Sequence, residues 1–198
     1  MSSPTTSQTT LLTSHKGVDL HAATALLVMK DRLEGGHLLD GLFRCELHTF
    51  WGEAGGLSIA RLLDTGRYFN PNKHHYGHFE LTLDGPSWLD EALSGNLLNP
   101  QWPGLPEGTD LDPTDGDGGD LYDRLLGGAA ADGFTAVDVV SYPQGQDGPI
   151  LSGVLWRLVI RGDTEASLEI GSKLAVASHR KEGLLVNPHM ECWQATAR

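Results

Sequence analysis

Residues 66–80 of the chain read GRYFNPNKHHYGHFE, and residues 183–193 read GLLVNPHMECW. Each begins with Gly, passes through two residues and one apolar residue to Asn-Pro, and then enters a His-bearing stretch. A thinner copy, GNLLNPQW, runs from Gly95 to Trp102. Proline restricts the residue before it to extended conformations and is tolerated in sheets only at an edge or a first position. Glycine closes helices in the left-handed region. The repeated device therefore predicts a helix-to-strand joint, with Asn70, Pro71, Asn187 and Pro188 as its residues, used for architecture or partner contact and not as a grip on substrate.

Working outward from the first joint, TTLLTS (9–14) predicts a strand. GVDLHAATALLVMKDRLEGG predicts a helix with Asp19 as N-cap, apolar residues at Leu20, Ala23 and Leu27, and a stop at Gly36. LFRCELHTFW (42–51) alternates, with Phe43, Cys45 and Leu47 on one face and Arg44, Glu46 and His48 on the other, as a half-buried strand does. GLSIARLLDTG predicts a short helix ending at Gly66, and HHYGHFELTL a strand. Around the second joint, FTAVDVV and GVLWRLVIR predict strands, DTEASLEIGSKLAVASH a helix capped by Asp163 or Thr164, and LLVNPHMECWQ a last strand. Between them WLDEAL (88–93) and DLYDRLLGGAAA (120–131) predict helices. The strand at 75–83 fits either the first or the second unit. The order suggests α+β architecture: tandem ferredoxin-like (βαββαβ) units whose antiparallel sheets pack together. The boundaries expected are a disordered N-terminus over 1–8, a first unit over 9–84 and a second over 85–198 with a Gly/Asp-rich insertion at 103–119.

The 198 residues carry a formal charge of −12, which disfavours nucleic acid and anionic membrane surfaces as partners. With 25 Gly and 10 Pro the chain is rich in loops. Cys45 and Cys192 are too few for a disulfide framework, lack metal-ligand spacing, and fit a reducing cytoplasm as small buried residues. No apolar run has the length of a membrane span.

In the second half, DLDPTDGDGGDLYDRLL carries Leu111, Asp112, Pro113 and Gly116, AVDVV carries Val137, Asp138 and Val139, and GLLVNPHMECW carries Leu184, Leu185, Asn187 and Pro188. In this order the motifs resemble those of the PurS family, the small subunit of bacterial phosphoribosylformylglycinamidine synthase. The first half looks like a more diverged copy, with SHKGVDLHAATALL for the early turn and helix and GRYFNP for the joint. The resemblance implies a non-catalytic, oligomeric protein without cofactor that bridges glutaminase and synthetase subunits during amidation of formylglycinamide ribonucleotide, and a tandem copy that works as a built-in dimer. The chain departs from the family in length and in lacking a basic residue in SYPQGQDG, the turn before the third strand.

A different reading rests on histidine. His74, His78 and Glu80 share one face of their strand, and Glu46 and His48 share the polar face of theirs. If the two strands pair, imidazoles and carboxylates converge in a set suited to zinc or iron. The chain would then be a metal-dependent enzyme acting on a small molecule, or a barrel enzyme using the same histidines as acid or base. The plainer alternative is a solvated polar face. His189 and Glu191 echo the pattern thinly. Asp110, Asp112, Asp115, Asp117 and Asp120 do not follow the calcium-loop template and read as a solvated loop. The loop GEAGG lacks nucleotide-binding spacing.

Overall fold

A computed structural model describes residues 6–53, 59–83, 110–111, 133–146 and 150–197. The strands are β1 (Thr6–His15), β2 (Leu39–Glu53), β3 (His74–Leu83), β4 (Asp110–Leu111), β5 (Phe134–Pro143), β6 (Ile150–Arg161) and β7 (Glu191–Ala197). The helices are α1 (Leu20–Arg32), α2 (Ile59–Asp64) and α3 (Thr164–Ala175), with a 3-10 turn at Gly36–Leu38. The protein is α+β, and its described strands form one sheet in the order β4-β3-β1-β2-β6-β5-β7. All neighbours pair antiparallel. Two sheets packed on each other were expected. Instead both halves share a single sheet, because β2 and β6 zip together from Leu42 opposite Leu158 to Phe50 opposite Ile150.

The halves share a strand arrangement, although α1 lies between β1 and β2 and no helix is described between β5 and β6. β1 lies between β2 and β3, and β5 lies between β6 and β7. The connection from β2 to β3 contains α2, and that from β6 to β7 contains α3, so in both halves a helical crossover joins two parallel strands that flank the central one. From edge to edge the six long strands read third, first, second, second, first, third. The registers agree as well. Leu11 is flanked by His48 and His78, and at the corresponding place Val139 is flanked by Trp156 and Ala195. An approximate two-fold axis passes between Glu46 and Val154, which pair across the junction. The ladder also settles where strand 74–83 belongs: it pairs with β1 along its whole length, in the first half.

The three helices of the described residues pack on one face. Ala22 and Met29 of α1 and Leu174 and Ala175 of α3 share a core with Leu42, Val137, Val139, Trp156, Leu158 and Ile160. Leu62 of α2 packs with Leu11 and Phe50. The other face is buried too, with Leu12, Leu47, Leu151 and Leu155 at 0 % exposure and Cys45 at 1 %. On β2, Arg44, Glu46 and His48 are only partly buried and the Glu46 side chain keeps 46 % exposure, in line with the alternation in 42–51.

Local chemistry sets the helix ends. Asp19 caps α1 by accepting from His21 N at 2.9 Å and Ala22 N at 3.2 Å, and Asp163 caps α3 by accepting from Ala166 N at 2.9 Å. Several expectations are corrected. Helix α1 buries Ala22 and Met29, while Leu20 and Leu27, expected on its apolar face, point to solvent at 74 % and 69 % exposure. β1 begins at Thr6, inside the stretch expected to be disordered. Val186 makes an isolated bridge with Val176, residues 188–190 form a turn, and the last strand starts only at Glu191. The predicted helices at 88–93 and 120–131, the third Asn-Pro copy, and the 103–119 insertion apart from β4 lie outside the described residues.

Candidate functional site

The two Asn-Pro joints are built alike, bond for bond. In the first, Asn72 N donates to Asn70 Oδ1 at 3.0 Å, and Lys73 N and His74 N donate to Asn70 O at 2.9 and 2.8 Å. In the second, His189 N donates to Asn187 Oδ1 at 3.1 Å, and Met190 N and Glu191 N donate to Asn187 O at 3.0 and 2.8 Å. Each Asn backbone N–H is accepted by the side chain four residues on: by His74 Nδ1 at 3.3 Å and by Glu191 Oε2 at 2.7 Å. The asparagine closes an Asx turn, and the proline after it supplies the fixed φ of a turn corner. Pro71 and Pro188 thus lie in the turn before the strand, not in its first position.

Gly66 and Gly183 both have positive φ, +63° and +74°. Gly66 follows the end of α2 closely, as expected. Gly183 does not end α3, which stops at Ala175. The chain between folds back instead, with Ala177 N donating to Val186 O and Leu185 N to Ala175 O, both at 2.8 Å. This brings Gly183 so close that a Cβ would lie 1.8 Å from Val176 O.

The histidines take separate places. β1 lies between β2 and β3, so the direct strand pairing that would join Glu46 and His48 to His74, His78 and Glu80 is corrected. Two ladder spacings, about 9–10 Å, separate the backbones. His48 Nδ1 lies 3.0 Å from Ser152 Oγ, and its ring is 4.8 Å from that of Tyr68. Burial holds this imidazole below its usual pKa, against the pull of Glu46. His74 stands edge-on to His15 at 5.2 Å, and burial, followed by the charge of His15, lowers its pKa too. The side chains of His78 and Glu80 lie outside the described residues. Among the described residues no three His, Cys, Asp or Glu side chains are grouped to hold a metal ion.

Two hollows flank Arg44 on the helix face. One, of about 230 Å³, is lined by Ser14, His15, Asp19, Ala22 and Leu42 among others. The second, of about 320 Å³, is lined by His21, Ser141, Trp156, Leu184 and Glu191 among others. Arg44 itself is engaged: Nη2 donates to Glu46 Oε1 at 3.1 Å, Nη1 is 3.6 Å from Asp19 Oδ2, and the guanidinium lies 5.8 Å from the Trp156 ring centroid. It ties the start of α1 to the β2–β6 junction. Ser141 Oγ donates to Glu191 Oε1 at 3.0 Å, linking the second joint to β5.

The opposite face buries polar groups whose pairing the sequence did not reveal. Arg157 Nε and Nη2 donate to Asp138 Oδ1 and Oδ2 at 2.7 and 2.9 Å, with exposures of 2 % and 0 %. A single Asp in AVDVV and a single Arg in LWRLVI were the available signals. Thr10 Oγ1, Thr49 Oγ1 and Tyr142 Oη form a chain with spacings of 3.1 and 3.3 Å. Burial pushes the Tyr142 phenol and the Cys45 thiol up to about 12, so Cys45 is packed as a small apolar group and not poised as a nucleophile. Trp156 is buried and Trp193 packs against the same core, as anchors do. No helix among the described residues is long and apolar enough to cross a membrane. The chain matches no protein-family model, no curated protein and no solved structure.

Proposed function

We propose that the chain is a diverged tandem of two ferredoxin-like units that works by protein–protein contact, as a PurS-like scaffold bridging a glutaminase and a synthetase subunit in amidation of a formylglycinamide ribonucleotide-type substrate. The observation that carries this reading is the apolar surface of α1 and of Val18 just before it. Val18, Leu20 and Leu27 are 78 %, 74 % and 69 % exposed and Val28 38 %, while the opposite side of the helix is packed into the core. Leu20 and Leu27 stand two helical turns apart on one face. Apolar surface left in water in this way is surface that a partner covers. The matched strand arrangement of the two halves and the like-built joints support the tandem reading, and the buried thiol and engaged arginine suit a protein without chemistry of its own.

The test is reconstitution with purified glutaminase and synthetase subunits. The wild-type chain should hold both in one complex, and Leu20→Ser combined with Leu27→Ser should lose the complex while keeping its circular dichroism spectrum and melting transition. Failure of the wild type to bind either subunit overturns the bridging role. Stoichiometric metal in the purified protein, lost in His78→Ala, would favour a metal-dependent enzyme instead.

A further inference from the structure

The larger hollow beside Arg44 lies over the seam between the halves, and one charge in its lining is left unanswered. Its floor is Val154 and Trp156 of β6, and its walls are Ala25 of α1 and Leu184 and Leu185 of the loop before β7. With about 320 Å³ it reaches the lower end of the range of small-molecule sites. Leu184, 44 % exposed, carries apolar surface out to the rim. The charged groups are unevenly matched. Arg44 donates to Glu46 Oε1 and stands 3.6 Å from Asp19 Oδ2, so two carboxylates already meet its charge. His21 is 82 % exposed, with Nδ1 3.9 Å from Asp19 Oδ1. Glu191 is partly buried and accepts from neutral donors, Ser141 Oγ on Oε1 at 3.0 Å and Asn187 N on Oε2 at 2.7 Å. Among the described residues its carboxylate enters no ion pair with Lys, Arg or His. Two hydrogen bonds fill only part of a carboxylate's acceptor capacity.

We propose that this hollow binds a small organic cation, a protonated aliphatic amine whose head lies on Glu191 and whose stem lies along Val154, Trp156 and Leu184. The ammonium supplies Glu191 with the charge-assisted hydrogen bond that Ser141 and Asn187 do not, and the stem covers apolar walls that water now wets. Charge selects the sign of the ligand. An anion would meet Asp19, Glu46 and Glu191 against the single guanidinium of Arg44. The formal charge of −12 on the whole chain draws cations towards it in the same sense. The head would sit at the second Asn-Pro joint, because the carboxylate it meets is the one that accepts from Asn187 N. The site is independent of the bridging role, since it is measured on the purified chain with no other subunit present.

The experiment is titration of the wild type with n-hexylamine, hexan-1-ol and hexanoate, which share one stem and differ in the charge of the head. Calorimetry and two-dimensional NMR read it at about pH 7.5, where the amine is protonated and the acid ionised. The amine should bind with a Kd of about a millimolar or tighter. The alcohol should bind on the order of tenfold more weakly, and hexanoate more weakly still. NMR shifts on adding the amine should gather at the Trp156 indole, Leu184, Ser141 and the amides of Asn187 and Glu191. Glu191→Gln keeps an oxygen acceptor for the joint and should bring the amine down to the level of the alcohol. Ala25→Leu fills the hollow from α1 without touching the carboxylate, and should weaken amine and alcohol alike. An amine that binds no better than the alcohol, hexanoate that binds as well as the amine, or shifts scattered over the acidic surface overturns the proposal. So does a folded Glu191→Gln that binds as the wild type does; should that variant fail to fold, the three ligands on the wild type and the Ala25→Leu variant decide.

Discussion

The phenol of Tyr142 crosses Gly153 to reach Thr49, two strands away, with 3.3 Å between the hydroxyl oxygens. It passes so close that a Cβ on Gly153 would lie 2.6 Å from the ring and 2.4 Å from Ser141 O. The glycine is the gap through which β5 is tied to β2 across β6. Gly153→Ala should therefore destabilise by about 1–3 kcal/mol or more, because the obstructing atom includes backbone that cannot swing away. Tyr142→Phe should cost about 1 kcal/mol, since Thr49 keeps its bond to Thr10. Chemical denaturation of the two variants checks the order.

Removing Asp138 or Arg157 alone should break their buried bidentate contact and leave a buried charge without it. Asp138→Asn or Arg157→Met should each cost about 3–5 kcal/mol, and replacing both by apolar residues should cost less than the two singles added together. A double-mutant cycle from urea melts measures the difference.

Acid should weaken the fold through histidine. Burial holds His48 below its ordinary value of 6.5 in the folded chain, so on acidification the unfolded chain takes up the proton first. The contribution is fully present above about pH 6.5 and is lost as the pH falls towards the lowered folded value; His74 acts in the same direction. Stability should rise with pH across this window, and His48→Gln should flatten the slope. Melting curves collected between pH 5 and 8 test the sign.

The joints allow a sharper comparison. Gly66→Ala meets open space and bears only the cost of positive φ, about 1–2 kcal/mol. Gly183→Ala adds a collision with Val176 O and should cost more, or should displace the loop before β7. Asn70→Ala and Asn187→Ala each lose one side-chain hydrogen bond, about 1 kcal/mol, and should add independently because the sites lie in different halves. Thermal melts of the four variants rank them.

How much of this was legible in the sequence depended on whether a feature was local. The caps at Asp19 and Asp163, the strand alternation in 42–51 and the Asn-Pro turns are fixed by neighbours along the chain, and their residues announce them. Pairing was not legible, because nothing in GRYFNPNKHHYGHFE says that β1 will separate it from β2. The facing of α1 was misread for a related reason: LHAATALLVMKDR is apolar on both sides, and only the sheet beneath decides which side is covered. The candidate metal group depended on a strand pairing that β1 prevents, whereas the buried Asp138–Arg157 pair depended on a register that only the ladder supplies.

The axis between Glu46 and Val154 has a consequence for how this molecule tolerates dilution and drift. In a homodimer of either half, whatever residue stood there would confront itself, and a glutamate would meet a glutamate. Carrying both halves on one polypeptide lifts that constraint, so one side can hold a carboxylate and the other an isopropyl group. It also keeps the halves at a high effective concentration. Lowering the protein concentration cannot pull the central seam apart, and a residue on either side of it can change without forcing the same change on its counterpart.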